Sequence, residues 1–401
     1  MNLELVRRIA ITIGALLIFR LGSQIPVPGI SAQAGVLSSG AVNRLSIFAL
    51  GLIPYLSAAI IIQLISVVWG RLSSLERSGE AGRRKIARYT LIATLLVATF
   101  QAYGIASAMQ EISGLVTDPD GWFLLPAIAS MVGGVFFLIW LSEQITRHGI
   151  GNGIALVVSV GILVLLPADV ASVIEVMRQG IVSGDLVLFH VIFWVAVVAL
   201  MVFVENARRN IRVEFAERKA GSRLLPARSA VLPIKLNSAG VLVPVTVAPW
   251  FWSLPLAFAA LIFGAKEPWL AAAYEHIAFA KPAHLIIGSI AIFILAFIYT
   301  SYVLDPEHAV DSLGKRGGTI PGAAPGEPTA DYLDRVVSLT TVVGAVYLVA
   351  VSLIPEVFVA SGHMLPYKIS GGSALIVVCT ILDIRKQVRD VSLTNPGGVR
   401  Q

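Results

Sequence analysis

The sequence predicts an all-α integral membrane protein, one helical bundle of ten transmembrane segments. Three observations carry that expectation. Of 401 residues, 56% are hydrophobic and only 13% are charged, too little charge to cover a soluble domain of this length. The mean hydropathy is +0.82. The apolar residues also gather in runs of about 20, each long enough to cross a hydrocarbon core of about 30 Å. An open sheet edge finds no partner in lipid, so the runs should be helices.

The runs cover, in order, about 5–24, 46–69, 88–109, 122–142, 150–167, 186–205, 239–263, 283–303, 336–358 and 369–384. The first, within MNLELVRRIAITIGALLIFRLGSQIPVPG, places two arginines before an apolar core, as a secretory leader does. Arg20 interrupts that core and many runs follow, so it is expected to be a retained first span. The second, SIFALGLIPYLSAAIIIQL at 46–64, opens with the backbone breakers Gly51 and Pro54 and carries Ser57 and Gln63. The fifth follows GIGNG at 149–153, which reads as a flexible entry. Ten spans divide into five plus five. Five is odd, so the halves, residues 1–185 and 186–401, would enter the membrane from opposite sides. Inverted halves of this kind place a functional site between them.

The charges give the orientation. With the N-terminus on one side, that side collects 24 of the thirty Lys and Arg residues. The positive-inside rule then puts both termini in the cytoplasm. The net charge of +6 is therefore mainly an orientation signal, and no direct nucleic-acid partner is expected. The surplus lies in two long polar connections, 206–238 and 304–335, both assigned to the cytoplasmic side. Long loops on one face read as a docking platform, with Arg218 and Lys219 at one tip and Lys315 and Arg316 at another. Contact with anionic headgroups is the other reading of such loops.

Several chemistries are absent. There is no GxxxxGK[ST], HExxH or GxSxG motif, hence no phosphate-cradling loop, zincin helix or nucleophile elbow. The six histidines, His148, His190, His276, His284, His308 and His363, lack metal-ligand spacing. The single cysteine, Cys379, lies in an apolar run and allows no internal disulfide. Arg20, Glu143, Glu205, Glu356 and Asp383 all fall near span ends, whereas an ion-coupled carrier needs ionisable groups near the midplane. A secondary transporter of a small solute is thus the alternative reading. No enzyme, cofactor or metal site is expected.

Six blocks then carry a resemblance: SIFALGLIPYLSAAIIIQL, SGEAGRRKIARYT, GIGNGIAL, LPIKLNSAGV, TIPGAAPGEPTADYLDRV and GGSALIVV. In that order they resemble the SecY family of protein-conducting channels, over about residues 5–390. The resemblance implies two inverted five-helix halves around a central hourglass pore. It implies passage of unfolded secretory chains across the bacterial inner membrane and sideways release of apolar segments into lipid. It also implies a SecE-like small membrane subunit, a SecG partner, and the SecA motor or a ribosome on the cytoplasmic loops. By resemblance the pore ring is Leu52, Leu56, Ile154, Val158, Leu242 and Ile376. Leu52/Leu56 and Ile154/Val158 are spaced i, i+4, so each pair stacks on one helix face about 6 Å apart. An apolar constriction resists wetting yet gives a passing chain no polar partner. Gln63 and Asn237 fall on or near the lateral gate helices. A seam containing amides opens at less cost than a fully packed one; a helix–helix hydrogen bond with no gating role is the equal alternative for these two amides.

The chain departs from the family at three places. The outer segment, with the plug within 30–45, is short; Ser38, Ser39, Gly40, Ala41, Val42, Asn43 and Arg44 resemble the end of a plug. Ala323 and Ala324 stand where the family usually carries an arginine associated with SecA-driven function. Ser222 also replaces a common arginine, with Arg223 beside it.

Overall fold

In the computed structural model of the chain, the residues described are 3–394 apart from 32–45, 70–71, 73, 76–77, 113, 118–121, 216–217, 221–222, 226–227, 241–247, 265–266, 279, 305, 316, 325, 362–364 and 366–369. Their contacts divide the chain into two compact units. The first takes Met1–Ile181, Pro366–Lys368 and Ile376–Gln401; the second takes Val182–Leu365 and Ile369–Leu375.

The first unit holds α1 (Leu3–Gly22), α2 (Ile53–Val68), α3 (Glu80–Glu111), α4 (Leu124–His148), α5 (Gly153–Leu163) and α6 (Leu166–Arg178). It also takes the last helix, α13 (Gly371–Thr394), from Ile376 onward. α3 packs on both α2 and α4. Its buried face is small: Thr90, Thr94, Ala98, Ala102 and Ala106 recur every fourth residue. Lipid drives no hydrophobic association between helices, so a small-residue seam that lets backbones approach supplies the attraction. Thr90 and Thr94 donate their hydroxyls to carbonyls one turn back, Ile86 and Thr90, and so add no unmet polar group to the seam.

The chain enters α2 through a turn at 46–52 that sits in a slot cut by glycines. A Cβ on Gly22 would lie 2.1 Å from the Phe48 ring, and one on Gly134 would lie 2.2 Å from the Ile47 carbonyl oxygen. Phe48 stacks between Phe19 of α1 and Phe137 of α4, with ring centroids at 6.1 and 5.8 Å.

The second unit holds α7 (Gly184–Asn206), α8 (Trp250–Phe263), α9 (Pro268–His276), α10 (Pro282–Val303), α11 (Pro306–Lys315) and α12 (Glu327–Ala360), with five strands. The 206–238 connection, expected as a loop, is largely sheet. β1 (Arg208–Phe215) pairs antiparallel with β4 (Arg228–Lys235) in the register Arg208↔Lys235 to Phe215↔Arg228. Between them β2 (Arg218–Ala220) and β3 (Arg223–Leu225) form a second hairpin. β5 (Gly318–Thr319) joins the other edge of β1. The cause is alternation inside a basic sequence: in RRNIRVEF, Ile211 and Val213 point inward while Arg212 and Glu214 between and beside them are exposed. Ile211, Val213 and Ile234 pack with Ile320 and with Leu333, Val336 and Val337 of α12. The 304–335 connection is likewise structured, holding α11, β5 and the first turns of α12.

Among the described residues, six helical stretches are long and apolar enough to cross a membrane: α3, α4, α5 with α6, α7, α10 and α12. The other four expected runs coincide with α1, α2, α8 and α13, and each falls short for a local reason. α1 carries Glu4, Arg7, Arg8 and Arg20; α2 spends its first residues in the turn; α8 has 14 described residues; α13 runs on into Asp383, Arg385 and Lys386.

Gly134→Ala should lower the thermal midpoint of the purified protein, because overpacking at a backbone contact costs about 1–3 kcal/mol. Gly133→Ala, whose Cβ would meet nothing within 4 Å, should leave it unchanged. Thermal unfolding of both variants in detergent checks the pair.

Candidate functional site

The helices that carry most of the expected ring both begin at a break, and each break is chemically satisfied. At α2, Gly51 adopts φ +56°, a left-handed conformation that costs glycine little. Pro54 occupies the first turn of the helix, where its missing N–H leaves no donor unpaired. The first intrahelical bond then closes from Leu56 N–H to the Leu52 carbonyl at 3.0 Å.

At α5 the GIGNG entry is not the flexible segment the sequence suggested. Ile150 N–H donates to Thr12 Oγ1 of α1 at 2.9 Å, and Gly151 N–H to Gln387 Oε1 of α13 at 2.6 Å. Gly153 N–H donates to Thr146 Oγ1 of α4 at 2.8 Å. The Asn152 side chain caps the helix by accepting from the N–H groups of Ile154 and Ala155. The glycines permit the approach: a Cβ on Gly153 would fall 1.8 Å from the Ser142 carbonyl oxygen.

Within the first unit, Leu52 is 2% exposed. It lies in one apolar cluster with Phe19, Phe48, Leu138, Ile145, Leu156 and Val157. Ile154 and Val158 pack against that cluster and remain partly open. Leu56 is half-buried one turn beyond Leu52, and Ile376 is half-buried on α13. α13 is bonded to α5 directly: Ser159 Oγ donates to Thr380 Oγ1 at 2.8 Å, and Thr380 Oγ1 donates to the Ile376 carbonyl at 2.8 Å. Ser159 and Thr380 are both buried. Leu242 and the plug residues Ser38, Ser39, Gly40, Ala41, Val42, Asn43 and Arg44 lie outside the described residues.

Gln63 is half-buried on α2, and its carbonyl accepts from Ser66 Oγ. Asn237, in the second unit, is buried just beyond β4. Its Nδ2 donates to Glu205 Oε1 at the end of α7 at 2.8 Å. Its Oδ1 meets no hydrogen-bond donor among the described residues. Of the docking candidates, Arg218 and Lys219 lie on β2, and Arg223 on β3 opposite Ala220. Lys315 is the exposed last residue of α11, and Arg316 lies outside the described residues.

A family model for SecY matches residues 46–385. The Escherichia coli K12 protein named protein translocase subunit SecY is 40% identical over 421 residues, covering 98% of this chain and 93% of that protein. The chain belongs to the SecY family. A Vibrio cholerae protein of the same name is also 40% identical, over 96% of this chain and 91% of its own length. Solved channels share the fold of this SecY family member. A SecY structure described for its plug domain matches with TM-score 0.70 at 19% identity, covering 100% of this chain and 96% of that one. Canine Sec61, solved in a ribosome-channel complex, matches with TM-score 0.65 at 19% identity and the same coverage. The SecY family and the six apolar helices make this a multi-pass membrane protein with bacterial relatives.

Sequence reasoning missed the polar contacts that organise this SecY fold, because their partners lie far apart in the chain. One more joins helices of the second unit: His284 Nε2 of α10 lies 3.3 Å from Glu356 Oε2 of α12. His284 Nδ1 faces the Ile277 carbonyl at 3.2 Å. No spacing rule links two residues on helices separated by β5 and α11. Removing one partner of such a buried pair costs about 3–5 kcal/mol, while replacing both by apolar groups is near neutral. His284→Ala should therefore lower the thermal midpoint markedly, and His284→Leu with Glu356→Leu should recover most of it.

Proposed function

We propose that the chain is the channel subunit of a bacterial protein translocase. It passes unfolded secretory polypeptides across the inner membrane and releases apolar segments sideways into lipid. The observation that supports this best is the 40% identity to the E. coli translocase subunit across 98% of the chain. The halves are residues 1–185 and 186–401, with both termini in the cytoplasm.

In this reading Leu56, Ile154, Val158, Ile376 and Leu242 line the constriction, and the buried Leu52 supports it from within the packed cluster. The ring works by what it lacks. Aliphatic side chains offer an ion nothing in exchange for its hydration shell, so a narrow apolar waist dewets. They change rotamer to fit a passing chain without hydrogen-bonding to it. Gln63 and Asn237 belong to the lateral gate. The Asn237 oxygen, which meets no donor among the described residues, is a polar position a moving gate can re-pair. The plug residues at 38–44 add to the seal, and the shortness of their segment leaves more of the barrier to the ring.

A SecE-like subunit clamps the channel, with SecG beside it. SecA or a ribosome engages the cytoplasmic face at Arg218, Lys219, Arg223, Lys315 and Arg316. The relative Sec61 is described in a ribosome-channel complex, which supports the ribosome as one such partner. The solute-transporter reading is not adopted: the described ring positions are aliphatic, and such a carrier needs polar groups at its site.

A photoreactive residue at Ile154 should cross-link to a stalled secretory chain in active membranes, and one at the exposed Phe203 of α7 should not. Equal labelling at both, or none at Ile154, overturns the reading. Arg218→Glu with Lys219→Glu should weaken binding of the cytosolic partner in a salt-dependent way, as titration at two ionic strengths would show.

A further inference from the structure

We propose that Thr12, Ser159, Thr380 and Gln387 are positioning residues that pin α5 against α1 and α13, so that Ile154, Val158 and Ile376 are held as one apolar face. This rests on the reading of those three as pore-lining.

α5 is short, 11 residues, and its apolar sequence gives it no intrinsic orientation. Every side of it is greasy, so packing alone would accept several rotations about its axis. Three directed bonds from α1 and α13 remove that freedom. At its entry Thr12 takes the Ile150 amide and Gln387 takes the Gly151 amide. Gly151 has φ +87° and its Cβ position lies 2.9 Å from Leu156 and 3.3 Å from Ile384 of α13, so backbone and helix are in direct contact there. Further along, Ser159 donates to Thr380, and Thr380 donates to the Ile376 carbonyl and lies 3.5 Å from the Ala155 carbonyl oxygen. The second contact thus spans α5 at the turn between Ile154 and Val158 and reaches the backbone of Ile376 itself. All four side chains are neutral. A neutral hydroxyl pair buried in an apolar environment fixes orientation without introducing a charge beside the constriction.

The test is the resting ion leak of the reconstituted translocase, measured in planar bilayers beside its thermal midpoint. Thr380→Val keeps the shape and removes the hydroxyl; Thr380→Ser keeps the hydroxyl. Thr380→Val should raise the leak about fivefold, the population shift equivalent to one hydrogen bond of about 1 kcal/mol. Thr380→Ser should return it to the parent value. A leak unchanged in Thr380→Val, or equally raised in both, overturns the proposal. A second measurement avoids dependence on a variant that packs poorly. In a Cys379→Ala background, Ser159→Cys with Thr380→Cys should form a disulfide when an added oxidant takes up two electrons and two protons from the thiols, since the hydroxyl oxygens already lie 2.8 Å apart. The oxidised channel should be tight and the reduced one leaky. Failure to form the bond, or equal leak in both states, contradicts the pin. Ile154→Gly separates the two readings: if it leaks and Thr380→Val does not, the pin fails and the ring stands. If Ile154→Gly does not leak, both fall.

Discussion

A helix that starts after a turn leaves its first amides without intrahelical partners, so each start must satisfy them with side chains, a proline or water. Both helices bearing most of the candidate constriction begin at such a turn. α2 solves the problem by subtraction, with a proline that has no amide to satisfy and a glycine that turns the chain at φ +56°. α5 solves it by addition, with side chains from α1, α4 and α13 closing on its first amides.

The two solutions differ in how far they were readable. Gly51 and Pro54 act locally, so their place at the start of α2 was legible from order alone. The entry to α5 looked loose because GIGNG contains no rigid residue. Its order comes from Thr12, Thr146 and Gln387, two of them more than a hundred positions away in the chain. Composition identified membrane helices for the same reason it could not count them exclusively: α1 and α13 mix charges with their apolar runs. In RRNIRVEF the charges concealed an alternation of period two, and a strand was read as a loop.

The second unit shows the complementary economy. Its sheet hides one face against α12 and leaves Arg208 and Arg212 on the other, so basic residues are carried on a strand and not on a loop. A partner meeting that surface loses less to ordering than it would on a flexible chain. Within the helices, polar groups are placed in pairs, Asn237 with Glu205 and His284 with Glu356, joining α7 to the β4 exit and α10 to α12.

The central claim is that a dry aliphatic waist, with no charge or polar ring, is what keeps ions out. Conductance of the resting, reconstituted translocase with Leu56→Ser and Val158→Ser tests it most directly. Wetting of the waist predicts a steady ion current in the double variant that the parent lacks. A double variant as tight as the parent would contradict it, and the seal would have to lie elsewhere.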